Sequence, residues 1–215
     1  MKYQIGRFIL LSGILLLSLV SAFSQEKIDI RENFKDRNLE WHEYAFASFY
    51  AEIDTGGACF TIKTTDEHPY NFGINIFADL GADFLFEVHF RNKNKMKGTY
   101  GIIFWNDGGG NTASFLLNKN KEYKIEALFD VSSSRIPTEY TGWKKSDIIQ
   151  TSKDQNNHFK IEQKDGQLSY YINGVQLCSF PGNFKNLYFN RFGLSISGKN
   201  EVDITYFTLQ GQEMQ

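Results

Sequence analysis

The strongest constraint on the fold is a pair of tight turns in the stretch FKIEQKDGQLSYYINGVQLCSF, residues Phe159–Phe180. Asp165-Gly166 and Asn173-Gly174 are dipeptides that tolerate positive φ at consecutive positions, as the type I′ turn of a two-residue hairpin requires. Each turn joins runs in which apolar and polar residues alternate. The stretch therefore predicts three short antiparallel strands that form a β-meander.

Two-residue turns also fix which residues of the meander lie opposite one another. The apolar positions fall on one sheet face in two cross-strand rows, Phe159 with Ile172 and Val175, and Ile161 with Tyr170 and Leu177. The opposite face is predicted to carry Lys160, Glu162, Ser169, Tyr171, Gln176 and Cys178.

The same alternation recurs along most of the chain. Residues 83–91 (DFLFEVHFR) place phenylalanine and valine on one face and Glu87, His89 and Arg91 on the other. Aromatic residues make up 16% of the sequence, which suits the pleated faces of strands, and no convincing amphipathic helix follows residue 27. The sequence therefore predicts an all-β domain with two packed antiparallel sheets, from Ile28 to about Gln210.

The N-terminus has the pattern of a secretory signal peptide. Lys2 and Arg7 precede the apolar run Phe8–Val20, and the small residues of Ala22-Phe23-Ser24 suit a cleavage site. A membrane anchor is the alternative, and the short apolar run disfavours it. We expect a signal peptide at residues 1–24, an exported single domain at 25–215, and no membrane span after cleavage.

Charge excludes some partners of the exported chain. Without residues 1–24 the protein carries 21 basic and 25 acidic residues, a net charge of −4. This balance gives no electrostatic reason to expect nucleic acid or an anionic membrane as a partner. The sequence does not indicate an oligomeric state.

An ordered set of segments resembles a known fold family. The segments are ENFKDRNLEW, DFLFEVHF, YGIIFW, Trp143 with a following S-x-I-I, HFKIEQKDGQLSYYINGVQL, RFGLSISG and VDITYFTLQ. Together they resemble the concanavalin A-like lectin and glucanase jelly roll, in the form of laminin-G-like and sugar-hydrolase-like secreted domains of Bacteroidota. The resemblance implies a two-sheet antiparallel jelly-roll sandwich whose concave sheet carries a ligand groove. It implies no single function, because the fold hosts lectins, glucanases and adhesion modules.

Glucanases of this family place paired carboxylates on one strand in the pattern E-x-D-x-x-E, which this sequence lacks. We therefore expect a non-catalytic, lectin-like carbohydrate-binding domain with a glycan or polysaccharide as partner. Two alternatives remain open, a hydrolase or lyase of non-classical type and an envelope structural or protein-interaction domain.

The residues predicted to form one sugar-binding surface combine aromatic rings with planar polar groups. They are Glu87, His89 and Arg91 on one strand, Trp105, Asn106 and Asp107 at a strand end, and Tyr171 on the polar face of the meander. The alternative for each is an ordinary solvated or packed position.

Two further expectations concern metal and cysteine. Relatives of this fold often hold a structural Ca²⁺ through an aspartate on the last strand, and Asp203 matches that aspartate by position. The alternation of their strands points the side chains of Cys59 and Cys178 to the polar face, so the two can form a disulfide if those strands are neighbours. The sequence does not say whether they are.

Overall fold

A computed structural model of the protein describes residues 27–35, 41, 43–54, 56–79, 82–105, 112–128, 142–182 and 188–212. Within these ranges every regular element is a β-strand. The strands are β1 (Lys27–Glu32), β2 (Tyr44–Ala45), β3 (Phe49–Asp54), β4 (Cys59–Thr64), β5 (Tyr70–Asp79), β6 (Phe84–Asn92), β7 (Thr99–Trp105), β8 (Thr112–Asn118), β9 (Glu122–Leu128), β10 (Lys144–Lys145), β11 (Asn156–Lys164), β12 (Gln167–Ile172), β13 (Val175–Pro181), β14 (Tyr188–Ile196) and β15 (Glu201–Gln212).

These strands form two antiparallel sheets. The nine-stranded sheet has the order β13-β12-β11-β6-β15-β4-β3-β2, with β1 paired to β15. The six-stranded sheet has the order β10-β9-β8-β7-β14-β5. The predicted two-sheet antiparallel jelly-roll sandwich is confirmed.

Strand β15 lies in the middle of the nine-stranded sheet. Along one side it pairs with β6. Along the other side its first residues pair with β4 and its last six pair with β1. The N-terminal strand therefore completes the sheet against the last strand of the domain.

Local turn chemistry predicted the meander correctly. Asp165, Gly166, Asn173 and Gly174 all have positive φ, between 49° and 80°. Strands β11 and β12 pair with Phe159 opposite Ile172, as the two-residue turn requires. The predicted rows of this hairpin are confirmed.

The third strand of the meander departs from the prediction. A β-bulge shifts the register between Tyr170 and Tyr171, so that Tyr170 lies opposite Cys178 instead of Leu177. Because one extra residue reverses every following side chain, Cys178 and Phe180 belong to the core. The prediction that placed Cys178 on the polar face is therefore wrong.

The possible disulfide is also corrected. Both cysteines are buried free thiols. Cys59 lies in β4 and Cys178 in β13, five strands away in the same sheet. Five spacings amount to about 24 Å, whereas bridged residues need Cα atoms within about 7 Å of one another.

The core fills the space between the sheets and is rich in phenylalanine. Phe86 of the nine-stranded sheet contacts Phe104 and Phe192 of the six-stranded sheet, with ring centroids 5.2 and 5.8 Å apart. Phe159 and Phe115 form a similar pair at 5.1 Å. Burial of each such ring contributes about 1.5–3 kcal/mol, so these contacts hold the two sheets together.

The predicted signal peptide, residues 1–24, lies outside the described ranges. In the part of the chain that the structure describes, no helix has the length and apolar character needed to cross a membrane.

Candidate functional site

Each sheet has an outward side, which we call the nine-stranded face and the six-stranded face. Glu87, His89 and Arg91 lie on the nine-stranded face, because the intervening residues of β6 are buried in the core. Tyr171 lies on the same face, two strands from Glu87. Lys160 lies between them and pairs with both residues. The structure therefore brings these four predicted residues onto one surface.

The centre of the nine-stranded face is a pair of touching imidazoles. The rings of His89 and His158 lie 4.1 Å apart, and the Tyr206 ring lies 5.2 Å from His89. Nε2 of His158 is 3.4 Å from Oε1 of Glu87, which is too long for a well-directed hydrogen bond. Burial lowers the pKa of both histidines, and the neighbouring His158 lowers that of His89 further. Both imidazoles are therefore neutral at pH 7.

Arg91 is held by an ion pair. Its Nε donates to Oδ2 of Asp203 at 3.0 Å, and the hydroxyl of Thr61 donates to Oδ1 of Asp203 at 2.8 Å. The Asp203 side chain is only 1% exposed. Both of its oxygens thus contact protein donors, which gives this carboxylate an ion pair in place of the predicted calcium. Among the described residues, no group of three His, Cys, Asp or Glu side chains could hold a metal ion.

Tyr171 belongs to a third set of contacts. Nζ of Lys160 lies 4.8 Å from the centre of the Tyr171 ring and 3.2 Å from Oε1 of Glu162. The Tyr171 hydroxyl donates to Glu162 across 3.4 Å. Each predicted residue of the nine-stranded face therefore contacts other side chains of that face, as on a solvated sheet surface.

The remaining predicted residues lie elsewhere. Trp105 ends β7, which belongs to the six-stranded sheet, and Asn106 and Asp107 lie outside the described ranges. The prediction of one surface that joins Trp105 to the Glu87 row is wrong, because the two strands lie in different layers of the sandwich.

The centre of the six-stranded face carries mostly small residues. Register places Gly73 beside Gly193, Gly193 beside Ile103, and Ile103 beside Ser114. A second row contains Ser195 and Gly101. Ile103 and Ser195 are each only 8% exposed although they point away from the core. We call these six residues, Gly73, Gly101, Ile103, Ser114, Gly193 and Ser195, the floor.

Two of the floor glycines are required by close approach of the backbone. A Cβ on Gly101 would lie 2.1 Å from the carbonyl oxygen of Phe115, and one on Gly193 would lie 2.0 Å from that of Phe72. A side chain at either position would therefore push neighbouring strands apart. The pairing of β7 with β8 and of β14 with β5 therefore requires glycine at these two positions.

Larger polar and aromatic groups border the floor. On the β9 side, Lys124 forms an ion pair with Glu126, and its ammonium lies 5.8 Å from the centre of the Trp143 ring. Trp143 is 40% exposed. On the opposite side, β5 presents the exposed residues Asn71 and Asn75. The centre of the face therefore lies between an indole on one side and amides on the other, and the half-buried Leu116 lies beside Gly101.

Two concavities also open on the nine-stranded sheet. One, of about 500 Å³, lies at the end of β6 and β15, near Leu85, Glu162 and Gln210. The other, of about 410 Å³, is lined by Tyr50, Glu52, Thr61, Lys63, Lys93 and Glu201. We call the second one the Tyr50 pocket.

Sequence reasoning missed the floor, His158 and the Tyr50 pocket. Glycines within the strand segments YGIIFW and RFGLSIS signalled the floor, since glycine inside a strand often marks close approach. The pairing of β7 with β14 that joins them is long-range. His158 joins His89 only through the pairing of β6 with β11, which no local turn predicts.

Comparisons with known proteins show the fold. No family model matches the chain, and no curated protein matches its sequence. A Bacillus subtilis protein of unknown function with a galectin-like fold is similar over 86% of this chain and 96% of that one, with a TM-score of 0.60 and 10% identity. The chain thus has a galectin-like, concanavalin A-like sandwich.

Two other solved structures have the same architecture. A Bacillus licheniformis beta-glucanase matches 86% of this chain and 98% of that one, with a TM-score of 0.54 and 6% identity. The metal-free carbohydrate recognition domain of Emp46p matches 75% and 85%, with a TM-score of 0.53 and 14% identity. At such identities the likeness concerns the fold alone.

Proposed function

We propose that the protein is an exported carbohydrate-binding domain that holds an extended glycan on the six-stranded face without cleaving it. The observation that carries the proposal is the floor of mostly small residues on the same face as the exposed indole of Trp143. Apart from Ile103, the floor consists of glycine and serine, which lets a chain of sugar rings lie close to the sheet. Trp143 offers an aromatic plane for the apolar side of a ring, and the asparagines of β5 offer donors and acceptors for hydroxyls.

The nine-stranded face supports the proposal less well. Arg91 is bonded to Asp203, and Glu162 contacts Lys160 and Tyr171. An extended glycan that took its hydrogen bonds from these groups would compete with contacts that they already make. Breaking such contacts offsets the gain from new hydrogen bonds.

The absence of catalysis is part of the proposal. Most glycosidases use two carboxyl groups that flank the scissile bond. On the described part of β9, Glu126 is paired with Lys124, and Glu122 accepts a hydrogen bond from Asn118. The sequence also lacks the E-x-D-x-x-E strand of the glucanases. We expect no release of reducing sugar from any polysaccharide that binds.

Export is proposed from the sequence of residues 1–24, which has the three regions of a signal peptide. The solved neighbours that are named as a carbohydrate recognition domain and a beta-glucanase agree with a glycan as partner. The described residues suggest no reason for a bound cofactor.

Binding to a panel of neutral and acidic polysaccharides tests the proposal, with Trp143→Ala and Ser114→Phe as variants. Trp143→Ala removes the rim, and Ser114→Phe fills the floor. We expect each to weaken binding by about 1–2 kcal/mol, roughly five- to thirtyfold, because stacking or close approach is lost. Affinity electrophoresis measures the effect, and thermal melts establish that the variants fold.

Tyr171→Ala is the matched control, since it removes a ring from the opposite face. Its binding should equal that of the wild type. If Tyr171→Ala loses binding while Trp143→Ala keeps it, the ligand lies on the nine-stranded face and the proposed site is wrong. If no polysaccharide of the panel binds the wild type, carbohydrate binding itself is contradicted.

A further inference from the structure

We infer that the Tyr50 pocket is a second binding site, which takes a single uncharged pyranose unit on the side of the molecule opposite the six-stranded face. The inference goes beyond the proposed function and is independent of it. It implies that the domain is bivalent, with an extended site on one sheet and a compact site on the other.

The pocket is built on four adjacent strands. Tyr50 of β3 lies opposite Lys63 of β4, and Lys63 lies opposite Glu201 of β15. In the next row, Glu52 lies opposite Thr61, and Thr61 lies opposite Asp203. Strands are rigid supports, so this two-row grid fixes the directions in which its polar groups point.

Buried groups form the base of the pocket. Thr61 is 4% exposed although it faces away from the core, and its hydroxyl donates to the buried carboxylate of Asp203. Arg91 completes the pair from β6. The base is therefore recessed and preorganised, and Arg91 acts as a positioning residue for the Thr61 hydroxyl.

The rim offers hydrogen-bond donors. Nζ of Lys63 lies 3.4 Å from Glu201, and Nζ of Lys93 lies 3.8 Å from Glu201 and 3.7 Å from Asp203. Each ammonium group has three N–H donors and, among the described residues, makes only these long contacts, so both keep N–H directions for a ligand. The carboxylates of Glu52 and Glu201 supply hydrogen-bond acceptors in the same pocket.

Tyr50 supplies the aromatic plane. Its ring is 37% exposed, and its hydroxyl donates to Glu52, which fixes the ring at the rim. An exposed plane beside alternating donors and acceptors is the combination that a pyranose requires, with one apolar side and several hydroxyls. The concavity near Leu85 has no such exposed ring among its lining residues.

Charge and size select the ligand class. The pocket is lined by two lysines and two glutamates, and the Arg91–Asp203 pair beneath them is also balanced. A charged ligand would have to break a pair, whereas a neutral one would not. The volume of about 410 Å³ lies at the small end of the range for ligand sites, which suits one sugar unit.

The test is titration of the ¹⁵N-labelled protein with methyl glucoside and methyl galactoside, followed by amide chemical shifts. At least one probe should produce saturable shifts at residues 61, 63 and 201. Tyr50→Ala should weaken this binding roughly tenfold or more, Lys63→Gln several-fold, and Tyr50→Phe little, because the ring is kept. Glucuronic acid should bind more weakly than the neutral probes.

Two controls separate this site from the six-stranded face. Phe46→Ala removes an exposed ring outside the pocket and should leave the shifts unchanged. Trp143→Ala should also leave them unchanged, even where it abolishes polysaccharide binding. Absence of saturable shifts, unchanged binding in Tyr50→Ala and Lys63→Gln, or tighter binding of glucuronic acid would each overturn the inference.

Discussion

The two outward faces of this sandwich cover the same phenylalanine core but are built from different residues. The nine-stranded face consists of long charged and aromatic side chains that contact one another, such as Arg91 with Asp203 and Lys160 with Tyr171. The six-stranded face has mainly glycine and serine at its centre, with Ile103 as the exception, and charged and aromatic groups towards its sides. Alternation along a strand thus identifies the outward side, whereas the size of the outward residues decides whether an extended ligand can lie along the sheet.

The largest expected effect tests whether packing requires glycine at the centre of the six-stranded face. Gly193→Ala should destabilise the protein by about 3 kcal/mol, because the added Cβ would meet the Phe72 carbonyl oxygen at 2.0 Å. On the other face, Lys160→Ala should stay within about 0.5 kcal/mol, since exposed substitutions rarely cost more. Urea denaturation measures both. Equal stability of the two variants would show that the floor can relax.

A smaller effect is expected from the ion pair of the nine-stranded face. Arg91→Met should cost about 2 kcal/mol, because Asp203 is almost fully buried and would lose its guanidinium partner. The cost stays below that of a fully buried pair because Arg91 is 43% exposed. Arg31→Met is the matched control, since both Arg31 and its partner Asp29 are exposed. It should produce no measurable change, and a loss equal to that of Arg91→Met would contradict the assigned role of burial.

The smallest effect concerns pH and belongs to the nine-stranded face alone, since no strand of the six-stranded sheet contains histidine. Burial lowers the pKa of His89 and His158 in the folded state. The unfolded chain therefore binds protons first, below its pKa of about 6.5. The contribution of the neutral histidines to the free energy of unfolding should be fully present above that pH. It should decrease as the pH falls towards 5, by less than about 1 kcal/mol per imidazole after solvent screening.

Melting temperatures between pH 5 and 8 check this dependence. His158→Gln should flatten the profile, whereas His68→Gln, which changes an exposed histidine outside both faces, should not. A profile that is unchanged in His158→Gln would show that other groups cause the loss of stability in acid.

Much of the fold could be predicted from the sequence because the informative signals are local. The Asp-Gly and Asn-Gly turns set the register of β11 and β12, and alternation correctly assigned the buried residues of β6. The bulge opposite Tyr170 could not be predicted in this way. It depends on how β13 packs against the rest of the sheet, and one extra residue was enough to exchange Leu177 for Cys178.

The candidate site was less predictable because it depends on which strands are neighbours. Parity placed Glu87, His89 and Arg91 on an outward face correctly, but it could not show that Arg91 would meet Asp203, 112 residues later. Nor could it show that Trp105 and Glu87 lie in different sheets. Gly101 and Gly193 are visible in the sequence as strand glycines, yet only long-range pairing brings them into one floor.

The position of β15 has a consequence for how the chain reaches its native state. Strand β15 pairs with β1, β4 and β6, and it follows all three in the chain. The β11–β12–β13 hairpins can form early because their contacts are local, whereas the sheet around β15 closes loops that run back as far as β1. A chain that emerges N-terminus first therefore exposes unpaired strand edges until residues 201–212 arrive. We expect folding to be slow, because the nine-stranded sheet can form only after β15 is available. Until then the incomplete chain should be prone to aggregate or to bind chaperones.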